Sequence, residues 1–247
     1  MPRPGSRAKR PVRANRLRAA AALALAALPA PALAQAWQCS LPDSLSTPAP
    51  PRQDGPERRV PISGFTLAAS WSPEFCQTHR DAGGSMQCSG RYGRFGFVLH
   101  GLWGEARFGG SPQWCGRPSR PAGELLRRNL CMTPSPGLLE HEWAKHGSCM
   151  ARTPEAYFRM GSALWSSLRW PDADRLSRQQ GLTVRDLKLA FVAVNPGWKP
   201  AELAVELSGR GWLREVQLCY GRDFLSAPCP RGRGAPDSAP MKIWRGM

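Results

Sequence analysis

Apolar runs and polar, Gly- and Pro-rich breaks alternate along the chain and separate strands from helices. Residues 65–71 (Phe-Thr-Leu-Ala-Ala-Ser-Trp) predict a strand stopped by Ser72-Pro73, and the polar, Gly-containing stretch 76–93 reads as a loop. Residues 95–103 (Phe-Gly-Phe-Val-Leu-His-Gly-Leu-Trp) hold aromatic and branched side chains and no charge. That is the composition of a central strand, and it delivers His100 at its end. A Gly/Pro loop over 107–121, a short helix over 124–130 and a Pro-rich turn over 133–137 follow, before a helix that carries His141. Thr153 reads as an N-cap with Pro154 at the first helical position, opening a helix to about 168 with Tyr157, Met160, Leu164 and Leu168 on one face. Thr183 with Asp186 resembles a capping box for a helix through Phe191. Residues 203–207 and 212–220 predict a strand pair joined at Ser208-Gly209-Arg210-Gly211.

The same pattern divides the chain. At the N-terminus, seven Lys or Arg precede an Ala/Leu-rich run over 19–28 and the triplet Ala32-Leu33-Ala34. This is the layout of a secretory signal, with cleavage expected after Ala34, and the run is too short to span a bilayer. Residues 35–59 predict a flexible lead-in rich in Pro, Ser and charge, with Trp37 and Cys39 tied back by a disulfide. An ordered domain is expected over 60–230, and a loose Gly/Pro/Arg tail over 231–247. No internal repeat is visible.

Composition adds two points. The formal charge is +16, and beyond residue 34 the chain still carries 27 bases against 18 acids, which favours acidic partners such as nucleic acid or a membrane surface. All eight cysteines lie past the expected cleavage site. An even number in an exported chain predicts disulfides, and no C-x-x-C pair points to a zinc ribbon or a redox site.

The chemistry concentrates in His141-Glu142-Trp143-Ala144-Lys145-His146, which holds two of the four histidines. At roughly 100° per residue, His141, Lys145, Glu142 and His146 share one side of a helix, while Trp143 falls opposite as a core anchor. Zincins need histidines at i,i+4, whereas the spacing here is H-E-x-x-x-H, so a metal is not expected. Acid and base chemistry on a phosphate is the alternative: imidazoles titrate near working pH, and a lysine can neutralise phosphoryl charge. Such a site lacks only a second imidazole facing His146, and His100 can supply it from another element.

Phe97-Val98-Leu99-His100-Gly101-Leu102-Trp103 and His141 to Cys149 resemble the two active-site segments of the ribonuclease T2 family, in order and in spacing. The resemblance implies an α+β fold with an antiparallel central sheet flanked by helices and stabilised by disulfides. It also implies an endoribonuclease acting on RNA by transphosphorylation with no cofactor, and with the N-terminal layout and the histidine spacing the expectation is an exported monomer with no metal or membrane partner. By this likeness His146 is the base, His100 the acid, Glu142 and Lys145 stabilise the transition state, and His141 binds phosphate. Trp103 and Glu105 are the expected base contacts. Gly104 replaces the family's usual proline, and Leu139 its usual aromatic. The resemblance favours disulfides Cys115–Cys149 and Cys219–Cys229, leaving Cys39, Cys76, Cys88 and Cys131; Cys76–Cys88 with Cys39–Cys131 is the pairing preferred. A polyanion-binding protein without turnover is the competing function.

Overall fold

The computed structural model describes Met1 and residues 36–37, 39–108 and 110–246. The signal expected over 1–34 lies, apart from Met1, outside them. The strands are β1 (Ala36–Trp37), β2 (Ile62–Trp71), β3 (Arg94–Phe95), β4 (Phe97–Ala106), β5 (Leu203–Leu207) and β6 (Leu213–Tyr220). β1 and β3 form a short ribbon, and the others an antiparallel sheet in the order β4-β2-β6-β5. The helices are α1 (Ser72–Thr78), α2 (Gly123–Asn129), α3 (Pro136–Lys145), α4 (Pro154–Ser166), α5 (Ala173–Leu176) and α6 (Val184–Val194). The fold is therefore α+β. No helix among the described residues is long and apolar enough to cross a membrane.

Local chemistry explains where elements depart from the expected ones. Ser72-Pro73 ends β2 but also begins α1, with Pro73 in the first turn, where a missing N–H costs nothing. The strand expected over 95–103 is divided at Gly96, whose carbonyl accepts from Ser72 N at 2.9 Å. α6 starts with a true capping box between Thr183 and Asp186.

One irregularity in the sheet matters for everything that follows. Ala68 pairs with Gly101 and Ala69 with Leu99, so His100 is the extra residue of a β-bulge. Before the bulge the inward residues of β4 are Phe97 and Leu99; after it, Leu102 points inward. The inner face, with Leu67, Ala69, Trp71, Val205, Val216 and Leu218, packs on helical residues such as Leu126, Tyr157 and Phe191. A run of ring contacts, Trp71–Phe97–Trp170–Phe191–Trp198–Tyr220, crosses this core with centroids 4.2 to 5.7 Å apart. The outer face carries the small and polar residues Thr66, Ala68 and Ser70, opposite Glu215 and Gln217 of β6.

Both outer strands of this sheet are engaged. On β4, Leu99 N donates to Met132 O at 2.9 Å and the Thr133 hydroxyl to Leu99 O at 2.7 Å. The Tyr157 hydroxyl accepts from Leu102 N and donates to Leu102 O. On β5, Ala235 N donates to Val205 O at 2.8 Å. The adjoining Gly234 has φ +72°, and a Cβ there would collide with the Val205 backbone, so a glycine is required.

The tail and the lead-in are not loose, contrary to the composition, and both belong to the same compact unit as the chain between them. In the tail Met241 and Ile243 are buried, Met241 N donates to Leu182 O, and Trp244 O accepts from the Trp71 indole at 2.6 Å. In the lead-in Pro42 O and Pro48 O accept from Arg127 and Arg120, and Arg58 pairs with Gln113 through both backbone groups. Leu41 and Leu45 pack against the core beside these backbone acceptors, so the segment is held by both. Disulfides join Cys39–Cys131, Cys76–Cys88, Cys115–Cys149 and Cys219–Cys229.

Candidate active site

α3 packs against strand β4, and its sequence sets both its ends. The Ser135 hydroxyl caps its start by accepting from Leu138 N, with Pro136 following. His146 is the C-cap and not a residue of the helix interior. The chain then enters a 3-10 turn, Gly147–Cys149, and a Cβ at Gly147 would strike the Trp143 and Tyr157 rings. Trp143 is 2% exposed and donates to Ser119 O, fixing the rotation of the helix. The side left facing the cleft carries His141, Glu142 and Lys145, with His146 at its end.

His100 enters from the bulge on β4. Its Nδ1 lies 2.7 Å from Glu215 Oε2, and its Nε2 lies 3.6 Å from Glu142 Oε1. Glu142 is buried and accepts from the Trp103 indole at 2.7 Å. The Trp103 ring stands between the two histidines, edge-on to His100 at 5.2 Å and tilted against His146 at 5.5 Å. Gly101 makes this approach possible, because a Cβ there would overlap the Glu142 carboxylate and the Trp103 indole. The five residues His100, His141, Glu142, Lys145 and His146 are thus brought to one cleft, with Trp103 among them.

Their electrostatics differ. Burial alone would lower the His100 pKa, but the Glu215 hydrogen bond and the Glu142 and Glu215 charges outweigh it and leave the pKa raised. Burial pushes His146 down to about 3, with Lys145, His141 and His100 adding in the same direction. Its Nδ1 is buried without a hydrogen-bond partner among the described residues. Burial, opposed by Asp54, also lowers His141. Burial raises the Glu142 carboxyl against the pull of His100 and Trp103.

Two further residues were not picked out by sequence. One is Glu215, whose carboxylate also accepts from Ser70 and Gln217. The other is Asp54 of the lead-in, with Oδ2 2.8 Å from Lys145 Nζ and 3.7 Å from His141 Nε2. Trp114, edge-on to His141, donates its indole N–H to Asp54 Oδ1 at 3.0 Å. The Lys145 hydrogen bond is the main reason the Asp54 carboxyl stays below its ordinary range. Glu105 shares the outer face with Trp103 but is tied down, accepting from Thr66 at 2.6 Å, Arg233 at 2.8 Å and Ser111 at 3.1 Å. Among the described residues no group of three or more His, Cys, Asp or Glu is placed to hold a metal ion.

Comparison with known proteins agrees with this architecture. The chain is 36% identical over 188 residues to a probable ribonuclease of Haemophilus influenzae, covering 71% of this chain and 64% of that protein. It is 38% identical over 177 residues to a ribonuclease of Aeromonas hydrophila, covering 66% and 74%, and 28% identical over 221 residues to ribonuclease I of Escherichia coli, covering 71% and 81%. Among solved structures, trichomaglin, described as an S-like ribonuclease, superposes with a TM-score of 0.58 at 18% identity, over 72% of this chain and 96% of that one. RNase NT, solved with 5'-AMP, gives 0.55 at 22% identity, over 74% and 99%. With the sequence pattern that defines the Ribonuclease T2 family matching residues 62–186, which spans both His100 and the His141–His146 stretch, this chain belongs to the Ribonuclease T2 family.

Proposed function

We propose that the chain is an exported, monomeric endoribonuclease that cleaves single-stranded RNA by transphosphorylation, without a metal and with little base selectivity. The observation that carries this reading is the opposite fate of two imidazoles around one indole: His100 is held up by two carboxylates, and His146 is pushed down to about 3. Two titratable groups whose surroundings drive their pKa values apart make an acid and a base at the same pH. His146 takes the proton of the ribose 2′-OH, and the 2′ oxygen bonds to phosphorus. The bond from phosphorus to the 5′ oxygen breaks, and His100 protonates that oxygen. Lys145 and His141 face the phosphate charge, and Glu142, its carboxyl raised by burial, steadies the pentacovalent state. The products are a 2′,3′-cyclic phosphate and a 5′-OH. DNA lacks the attacking hydroxyl and is spared. The Trp103 ring offers a stacking surface that accepts any base. Glu105 already accepts three hydrogen bonds, two on Oε1 and one on Oε2, so Oε2 is the oxygen left to accept from a base. The N-terminal layout and the four disulfides support export to an oxidising compartment.

A digest of single-stranded RNA in EDTA, with analysis of the new 3′ ends, tests this directly. Cleavage that persists in chelator and leaves cyclic phosphate is expected. Loss of cleavage on chelation, or 3′-OH ends, rules the mechanism out. RNA retained on the protein with no scission would instead establish the non-catalytic function.

Asp54 occupies the position, against Lys145 and His141, that a substrate phosphate would take. Asp54→Asn is therefore expected to lower KM for an oligoribonucleotide several-fold at low salt while kcat changes little. The gain should shrink at high salt, where screening weakens charge competition of this kind. Steady-state kinetics at two salt concentrations measure it, and an unchanged KM at low salt would show that the carboxylate does not compete.

A further inference from the structure

We infer that Glu215 is a positioning residue for the acid step, holding the His100 imidazole so that Nδ1–H is bound to the carboxylate and Nε2 is the nitrogen that delivers the proton. This rests on the ribonuclease reading above and assigns a role to a residue outside both active-site segments. The geometry points to it from several sides. Glu215 Oε2 lies 2.7 Å from His100 Nδ1, the distance of a charge-assisted hydrogen bond. Oε2 also accepts from the Ser70 hydroxyl at 3.1 Å, and Oε1 from Gln217 Nε2 at 2.9 Å. Both carboxylate oxygens are thus tethered, and both tethers stand on strands, where backbone hydrogen bonds limit movement. The register Ser70↔Glu215 places the carboxylate beside the bulge that redirects His100.

A histidine with two ring nitrogens can present either one, and a wrong tautomer or rotation stops proton delivery. With Nδ1 committed to Glu215, Nε2 is left on the Glu142 side, 3.6 Å from Glu142 Oε1. The charged groups facing His100 come from both walls: Glu215 from β6, Glu142 and Lys145 from α3, with His141 and His146 beyond them. Among the described residues, Glu215 alone combines a short hydrogen bond to His100 with a charge. Its removal should lower the pH at which His100 gives up its proton, because the imidazolium loses its nearest anion.

The test is Glu215→Gln, with Glu215→Ala beside it. At metal sites, residues that orient a histidine in this way change activity by about 10–100-fold when removed, and that range is taken as the scale for this pair. Loss of kcat in that range is expected for Glu215→Ala and a smaller loss for Glu215→Gln, which keeps an acceptor, with KM little changed. The alkaline limb of the pH–kcat profile should move to lower pH in both. Glu206→Gln removes the carboxylate that pairs with Glu215 across β5 and β6 and should leave that limb in place. NMR titration of ring-labelled histidine reads His100 without any turnover. If the wild-type protein does not cleave RNA, the functional reading fails, while this titration still measures the Glu215–His100 pair. If Glu215→Gln does not fold, Ser70→Ala loosens one tether of an intact carboxylate and should move the limb by a smaller amount in the same direction. An unmoved His100 titration with full kcat in Glu215→Gln overturns the inference. So does a loss of kcat whose pH profile is unshifted, which would mark a general structural effect.

Discussion

Replacing His146 with alanine is expected to slow RNA cleavage by about 10²–10⁴-fold, the range for loss of a positioned general base. The fold should survive the change. His146 caps α3 through its backbone N–H to Glu142 O, which alanine retains, and the neighbouring Trp143 and Gly147 carry the packing. Because its pKa sits at about 3, the wild-type ring is already neutral through the mildly acidic and neutral range. The acid limb of the wild-type profile should therefore lie far below the usual imidazole range, with the alkaline limb set by His100 above it. Single-turnover cleavage of a short oligoribonucleotide, with a thermal melt of the same sample, separates the two effects. Full activity in His146→Ala would remove it from the chemistry. A His100→Ala, His146→Ala double variant should lose little beyond either single one, since residues acting in one step are not additive.

The second large effect concerns stability. Removing Cys39–Cys131, whose ends are 92 residues apart, is expected to cost about 4–5 kcal/mol from chain entropy alone. Removing Cys219–Cys229, with a separation of 10, should cost about 3 kcal/mol. Small domains are stable by roughly 5–15 kcal/mol, so the longer bridge carries a large share of the total. The site should feel its loss as well, because Cys131 adjoins Met132, whose carbonyl accepts from Leu99 N beside His100. Denaturant unfolding of Cys39→Ala with Cys131→Ala, against Cys219→Ala with Cys229→Ala, measures both losses under non-reducing conditions. Equal losses would show that loop length does not govern these bridges.

What the sequence disclosed about the site was its local part. His141, Glu142, Lys145 and His146 are close in sequence, and helical geometry gathers them without any tertiary information. His100 could be added because its segment has a distinctive composition and because a second motif was there to meet it. Glu215 and Asp54 lie 115 and 91 residues from their partners His100 and Lys145, and no local pattern links such distant groups. The alternation of β6, with Val216, Leu218 and Tyr220 inward, does put Glu215 on the outer face, but strand order is needed to see what it meets. The bulge was equally hidden, since one extra residue in β4 leaves no mark in an uncharged run. Composition misled at both ends of the chain. The Gly, Pro and Arg content of the tail points to a loose segment, although Met241 and Ile243 within it are buried and the Trp244 carbonyl is bound by the Trp71 indole. The lead-in is held partly by proline carbonyls, which look the same in a free segment and a bound one, and partly by Leu41 and Leu45, two apolar residues too sparse to form a pattern.

The engaged outer strands of the sheet have a consequence for how the chain behaves in a crowd of its own copies. Unpaired strand edges template growth from one molecule to the next, and the danger is greatest for long strands rich in apolar residues. β4 is such a strand, ten residues long, with Phe97, Val98, Leu99 and Leu102 along it. Its free groups near the His100 bulge are taken by Met132, Thr133 and Tyr157, while the returning tail closes β5 at Val205. The helix that carries Tyr157 and the tail that carries Ala235 thereby guard both outer strands against self-templated aggregation, and the end of the sheet that bears His100 is closed to another sheet.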